Sequence, residues 1–507
     1  MPTPVSHYRI AVIGAGFAGI GTAIRLRQRG ERDFRIFEKS AGVGGTWWVN
    51  RYPGCACDVP SRLYSLSFAP NPDWTRHFAP RAEIQAYLER LVAEHGLGPH
   101  LETGTEIVEA AWLDESNRWR LTDGRGRTYT AEVLISALGG LSRPSWPDLP
   151  GLDDFGGDVV HSQQWPESLD LDDKRIAVVG TGASAAQLVP EVARHARQLT
   201  VFQRTPAWII PRRDRPIGPL KRRLFRRFPM LLRLARFAIW TRNEMRVPAL
   251  MRWHWLAAGH RWLAHRHRRR QVRDPVLREK FRPDYDIGCK RVILSDDFYP
   301  TFNRDNVALV DRAVERVTED GVIDADGRQH AADILILATG FRATEPVPAG
   351  LIIGRDGRDL ARQWREGPAA YKGTTVHGFP NLFILLGPNT ALGHSSVLLM
   401  IESQIRYLLS ALDHLEKNRT PLEVNESAER AWNDWVERRL SRSVWNAGGC
   451  RSWYLHPTSG RNTTIWPGFT FDFRRRLRRF DPEAYERESA APTSYFNSPI
   501  SRSRSSR

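Results

Sequence analysis

Two glycine-rich turns in this chain are built to approach phosphate, and the residues that follow them carry opposite charge. The first turn is G-x-G-x-x-G, at Gly14, Gly16 and Gly19. The second is G-x-G-x-x-A, at Gly180, Gly182 and Ala185. The first glycine of such a turn permits the bend, the second lets backbone approach a pyrophosphate, and the third small residue lets helix and strand pack closely. Glu38 and Arg204 stand equally far beyond the first glycines of their turns, each at the end of a following strand. A carboxylate there accepts hydrogen bonds from a ribose diol and repels a 2′-phosphate. A guanidinium there pairs with that phosphate, often through two parallel bonds. The first site therefore suits a dinucleotide with a free 2′-hydroxyl, FAD or NAD, and the second suits NADPH. A flavin beside a reduced nicotinamide is the equipment of a redox enzyme.

The elements around the turns are those this chemistry needs. "YRIAVIGAGFAGIGTAIRLRQRG" (8–30) reads as apolar strand, turn and amphipathic helix, and "DFRIFEK" as the strand ending near Glu38. "KRIAVVGTGASAAQLVPEVA" (174–193) and "QLTVFQR" repeat that order. Each helix would aim free N–H groups and its positive dipole end at a phosphate. "ISALGGLSRP" (135–144) and "ILATGFRATEP" (336–346) are apolar strands ending in glycine and read as paired crossings between domains. The expected fold is α/β: two Rossmann-like dinucleotide-binding domains, discontinuous, with a helical insertion. The FAD domain is expected at 1–148 and 370–507, the NADPH domain at 149–211 and 288–369, and the insertion at 212–287.

Between the domains lies "FGGDVVHSQQWP" (155–166), neither a clean strand nor a clean helix. Phe155, Gly157, His161, Trp165 and Pro166 spell F-x-G-x-x-x-H-x-x-x-W-P just before the second turn. This stretch resembles the fingerprint of the type I Baeyer–Villiger monooxygenases, within the class B flavoprotein monooxygenases. Related N- and S-oxygenating enzymes usually end the motif in Tyr or Phe followed by Lys or Arg. The resemblance extends to "GVGGTWWVNRYPGCACDVPS" (42–61), "GCKRVILSDDFYPTFNRDNV" (288–307), "GPNTALGHSS" (387–396) and "RSWYLHP" (451–457). The last stretch departs from the family's usual Gly-Ala-Asn continuation. Gly156 and Gly157 are expected to allow bends, and His161 to serve as a hydrogen-bonding side chain at the hinge rather than as a base.

The resemblance implies that reduced flavin, through a C4a-peroxide, places one oxygen atom of O2 next to a ketone carbonyl and yields an ester or lactone. It implies Arg291 as the catalytic arginine, Asp58 as the carboxylate that orients it, and Lys290 near the NADP phosphate. Arginine suits that role because its guanidinium stays protonated while it stabilises a developing oxyanion. Gly45, Thr46, Trp47 and Asp58 are implied flavin contacts, and Trp453 lies in the loop implied to close over the nicotinamide. Tyr64, Gln187 and Thr205 complete the expected cofactor contacts.

The remaining features bound this reading. A chain of 507 residues is too long for one core. Cys55, Cys57, Cys289 and Cys450 make no metal-ligand spacing and are expected to be reduced thiols. The net charge of +17 is concentrated between Arg212 and Arg273 and in the tail "SRSRSSR" (501–507), expected to be disordered. No nucleic-acid motif accompanies that charge. A strand pattern from Tyr8 leaves no sign of a leader, and no apolar run spans a bilayer. "FPMLLRLARFAIW" (228–240) is short and carries Arg233 and Arg236. A cytoplasmic enzyme is expected. Trp240, Trp253, Trp255 and Trp262 of the insertion are expected to pack as core or cap over the substrate side, in preference to a membrane-facing surface. Two other functions compete: N- or S-oxygenation, including of a sulfide, and a membrane-docked flavoprotein without oxygenase activity.

Overall fold

In a computed structural model, which describes residues 6–486, the two largest sheets, of eight and five strands, share one cavity. The basic tail lies outside the described residues. Strand β1 (Ser6–Ile13) runs into helix α1 (Phe17–Gln28) through the first glycine turn, and β2 (Phe34–Glu38) follows. Further along come β3 (Leu101–Thr103), β4 (Ile107–Leu113), β5 (Arg118–Asp123) and β6 (Thr128–Ser136). β3, β2, β1 and β6 are neighbours in parallel, and β5 and β4 continue the sheet antiparallel. The strand Leu382–Ile384 returns late in the chain to pair with β6. Ile10, Ala11 and Val12 are buried on both faces, as a central parallel strand covered by helices requires.

The second sheet repeats the plan. Its strands include β7 (Asp158–His161), β8 (Arg175–Val179) and β9 (Gln198–Phe202), and the second turn leads from β8 into helix α2 (Ala183–Val192). The order is Val307–Val310, β9, β8, Ile334–Leu337, β7, all parallel. The two crossings do pair: the Ser145 N–H donates to the Gly340 carbonyl at 2.9 Å, and the Thr339 hydroxyl to the Ser145 carbonyl at 2.6 Å.

Four expectations change. The strand Ile352–Ile353 pairs with β4, so the chain has rejoined the first sheet well before residue 370. Gly156 and Gly157 do not sit at positive φ. Gly157 is needed because a Cβ there would overlap the Asp333 carbonyl, a close approach rather than a bend. The insertion carries α3 (Pro219–Arg227), α4 (Pro229–Glu244) and α5 (Ala258–Gln271). Trp240 packs against the first core, but Trp253, Trp255 and Trp262 are exposed, because Ala257 and Ala264 already fill the inward side. Finally, of residues 212–287 only Tyr285, at the end of the insertion, lines the cavity, so the insertion's helices back the site without capping it.

The domains touch where Gly54 meets α2. Gly54 has φ +77°, and a Cβ there would lie 2.6 Å from the Gln187 carbonyl. Gly54→Ala therefore adds backbone strain and a clash at the domain contact. It should lower the thermal midpoint by an amount corresponding to about 1–3 kcal/mol. An unchanged melting curve would contradict this packing.

Candidate active site

A cavity of about 1190 Å³ runs between the sheets, and both glycine turns open onto it. Gly14 and Gly180 have φ of +107° and +112°, and a Cβ on either would strike the carbonyl of Ala137 or Ala338. Only glycine suits those positions. Gly16 faces Gly45, where φ is +55° and an added Cβ would come within 3.0 Å of the Gly16 Cα. Gly182 has no atom within 4 Å of its missing Cβ. Each turn thus leaves a cradle of bare backbone at a helix N-terminus, which fits a pyrophosphate. Gly19 and Ala185 do not reach the cavity. A Cβ at Gly19 would overlap the Gly14 carbonyl, and Ala185 is fully buried in the second core, so both serve helix–strand packing.

Glu38 lines the cavity with its carboxylate fixed by two backbone N–H donors, Ala15 and Ser40, each at 2.8 Å. Gly45, Thr46, Trp47 and Tyr64 line the same end. The Trp47 indole donates to the Tyr64 hydroxyl at 3.1 Å, which turns both rings into the wall. Gln187 fastens the two domains: its Oε1 accepts from the Tyr52 hydroxyl at 3.0 Å, and its Nε2 donates to the Ala56 carbonyl at 2.9 Å. At the other end stand Arg204, Thr205 and Lys290. Burial lowers the Lys290 ammonium pKa, and the nearby Arg204 lowers it further. Two cations held against each other at a cavity wall make a place for an anion.

Arg291 and Asp58 meet between these ends. Arg291 Nε donates to Asp58 Oδ2 at 2.6 Å and Nη2 to Oδ1 at 2.7 Å, a two-pronged pair. Nη1 reaches the Leu392 carbonyl at 3.4 Å. Their side chains are 31% and 30% exposed, and that exposure faces the cavity. Burial pushes the Asp58 carboxyl up, but Arg291 and Arg212 more than offset it, so its pKa ends below the ordinary value. Asp58 in turn raises the Arg291 pKa against the effect of burial. Both groups stay charged.

Tyr454 and Arg212 were not singled out from sequence. The Tyr454 hydroxyl is buried at the cavity wall without a hydrogen-bond partner among the described residues, and burial pushes its pKa up to about 12. Its place beside Trp453, which also lines the cavity, was the available signal. Arg212 had been assigned to the insertion, yet its Nη2 donates to the Cys57 carbonyl at 3.2 Å. The cysteines divide. Cys55 and Cys57 are free thiols whose pKa burial raises, Cys55 to about 11. Cys289 and Cys450 form a disulfide, contrary to the expectation of four reduced thiols. Folding packs the Lys290–Arg291 segment beside the loop of Trp453 and Tyr454, and this brings together two cysteines 161 residues apart. No group of three or more potential metal ligands occurs among the described residues. His161 is fully buried outside the cavity, where its Nδ1 accepts from the Gln163 N–H at 3.1 Å.

Comparison with known proteins agrees with this geometry. The model of flavin-binding monooxygenase-like proteins matches residues 7–348. A Baeyer–Villiger monooxygenase of Pseudomonas aeruginosa is 50% identical over 96% of this chain and 92% of its own length. Cyclohexanone monooxygenase from Rhodococcus sp. Phi1, solved bound to NADP+, superposes with a TM-score of 0.84 at 27% identity, over 94% of this chain and 97% of that one. OTEMO in complex with FAD and NADP superposes at 0.83 with 29% identity, over 93% and 97%. By the glycine cradles, the Arg291–Asp58 pair and these likenesses, the chain belongs to the flavin-binding monooxygenase family, in its Baeyer–Villiger branch.

Proposed function

We propose that this protein inserts one oxygen atom of O2 next to a ketone carbonyl, using FAD and NADPH, and releases an ester or lactone. The observation that carries the reading is Arg291, a permanent cation facing the cavity between two dinucleotide cradles and held in place by Asp58. FAD suits the first domain and its Glu38 end, NADPH the second with Arg204 and Lys290. When bound, FAD supplies activation of O2 and NADPH supplies the reducing hydride.

The chain's own residues then have separable tasks. Gly14, Gly16, Gly180 and Gly182 bring backbone against the two pyrophosphates. Glu38 accepts from a ribose diol, while Arg204 and Lys290 hold a 2′-phosphate. Arg291 stabilises negative charge on oxygen beside it without giving up a proton, because Asp58 keeps it charged. Asp58 positions the fork of that guanidinium. Trp453 and Tyr454 close the wall next to it. A sulfide oxygenation needs no such cation, so Arg291 favours the ketone reaction. We place the protein in the cytoplasm, where NADPH is supplied. No helix among the described residues is long and apolar enough to cross a membrane.

Arg204→Ala removes one charge-assisted contact to the 2′-phosphate, worth about 1.5–3 kcal/mol. The KM for NADPH should rise roughly ten- to a hundredfold, and that for NADH should barely change. Equal losses for both cofactors would show that Arg204 does not read the phosphate.

Lys290 adds a pH dependence. With its pKa lowered from 10.5, the ammonium loses its charge earlier than an ordinary lysine as the pH rises. The KM for NADPH should therefore climb below pH 10.5 in alkaline buffer, and Lys290→Arg should move that climb to higher pH. The same alkaline profile in both proteins would remove Lys290 from the phosphate site.

Arg291→Ala should lower ester formation by about a hundredfold or more while FAD binding and flavin reduction by NADPH persist. Arg291→Lys keeps the charge but loses the fork on Asp58 and should also be poor. Stopped-flow absorbance separates reduction from oxygenation, and product mass reports the ester. Ester formation near the wild-type rate in Arg291→Ala would sink the assignment.

A further inference from the structure

The insertion exposes apolar side chains where a surface helix ordinarily carries polar ones. Helix α4 buries Leu232, Ile239, Asn243 and Glu244 against the protein. On its opposite side Met230, Leu234 and Phe237, with Met245 just past its end, are between 56% and 67% exposed. Their spacing places them in one stripe along the helix. Helix α3 packs beside α4 and exposes Leu220 and Leu224, one turn apart, and Phe228 at the joint is exposed as well. A further aromatic arrives from the C-terminal region. Phe237 lies 5.5 Å from Trp240, whose indole donates to the Thr470 hydroxyl at 2.9 Å, and the next residue, Phe471, is exposed. Scattered exposed apolar residues need no account, but a continuous stripe does.

Charge identifies what the stripe fits. Between Arg215 and Arg273 the chain has a single acidic residue, Glu244. That carboxylate is turned inward, where it accepts from the Thr470 N–H at 2.9 Å and from its hydroxyl at 2.8 Å. Lys221, Arg223, Arg227, Arg233 and Arg242 are exposed around the stripe, and none has an acidic partner among the described residues. Arg233 and Arg242 fall on either flank of the apolar line of α4, where long cationic side chains reach the headgroup level while the stripe enters the apolar boundary. A second copy of this chain would bring the same cations face to face. A nucleic acid would offer nothing to the leucine and methionine stripe.

We propose that α3 and α4, together with Phe471, form a docking surface for an anionic lipid bilayer, on which the protein lies without crossing it. The surface stands outside the cavity, so docking is separable from turnover. A protein held at a bilayer would meet apolar ketones where they are most concentrated.

The test uses the full-length protein with FAD bound, in flotation with vesicles of phosphatidylcholine alone or with about one third phosphatidylserine. Wild type should float with the anionic vesicles and not with the neutral ones, and salt of about 1 M should release it. The double variant Leu234→Glu, Phe237→Glu should retain NADPH oxidation in solution and bind anionic vesicles at least about tenfold more weakly. A chain ending at residue 500 should still float, which separates the docking surface from the basic tail. Equal flotation of wild type and the double variant, or loss of flotation only on truncation of the tail, would overturn the proposal. So would a wild-type dimer that ignores vesicles and that the double variant dissolves.

Discussion

One guanidinium must be kept charged, fixed and turned toward a cavity, and the rest of the site is arranged around that need. A lone arginine in a partly desolvated place would be costly and free to turn away. Asp58 resolves both problems through two short bonds, and Arg291 resolves the reciprocal problem for Asp58. The two residues stand 233 positions apart, one in the segment that follows β2 and the other after the insertion. Their pairing therefore depends on the docking of two domains and on the return of the chain from the insertion.

Several contacts enforce that docking. Gln187 reaches across to Tyr52 and Ala56, and Gly54 lets the backbones approach. Arg212 holds the Cys57 carbonyl next to Asp58, and the Cys289–Cys450 disulfide binds the arginine segment to the loop of Trp453 and Tyr454. The cavity is thus walled by elements from both ends of the chain. A charge pair inside it is shielded from bulk water without being sealed in, which keeps the pair strong and leaves the guanidinium a free face.

The insertion has its own division of labour. Its inward face supports the first core through Ile217, Ile239 and Trp240 and backs the arginine segment through Ala257 and Ala264. Between Arg215 and Arg273 its single acid, Glu244, faces inward. What remains outside is apolar and basic, a combination that a role in packing alone does not require.

The sequence by itself determined the two cradles. Gly14 and Gly180 are needed because their φ values suit glycine alone, and Glu38 and Arg204 follow by local spacing along a strand, so both sites were legible within about thirty residues each. Resemblance carried the reading further, to Arg291, Asp58 and Lys290, all of which reach the cavity. Tertiary structure decided what local spacing cannot encode. It placed Tyr454 at the cavity wall and Arg212 behind Asp58 on the Cys57 carbonyl, joined two distant cysteines, returned Ile352 to the first sheet and left three tryptophans outside. The physical reason is common to all of these. Glycine conformation and strand periodicity act over a few residues, whereas pairing across 161 or 233 positions, and which face of a helix stays wet, depend on what the folded chain brings alongside.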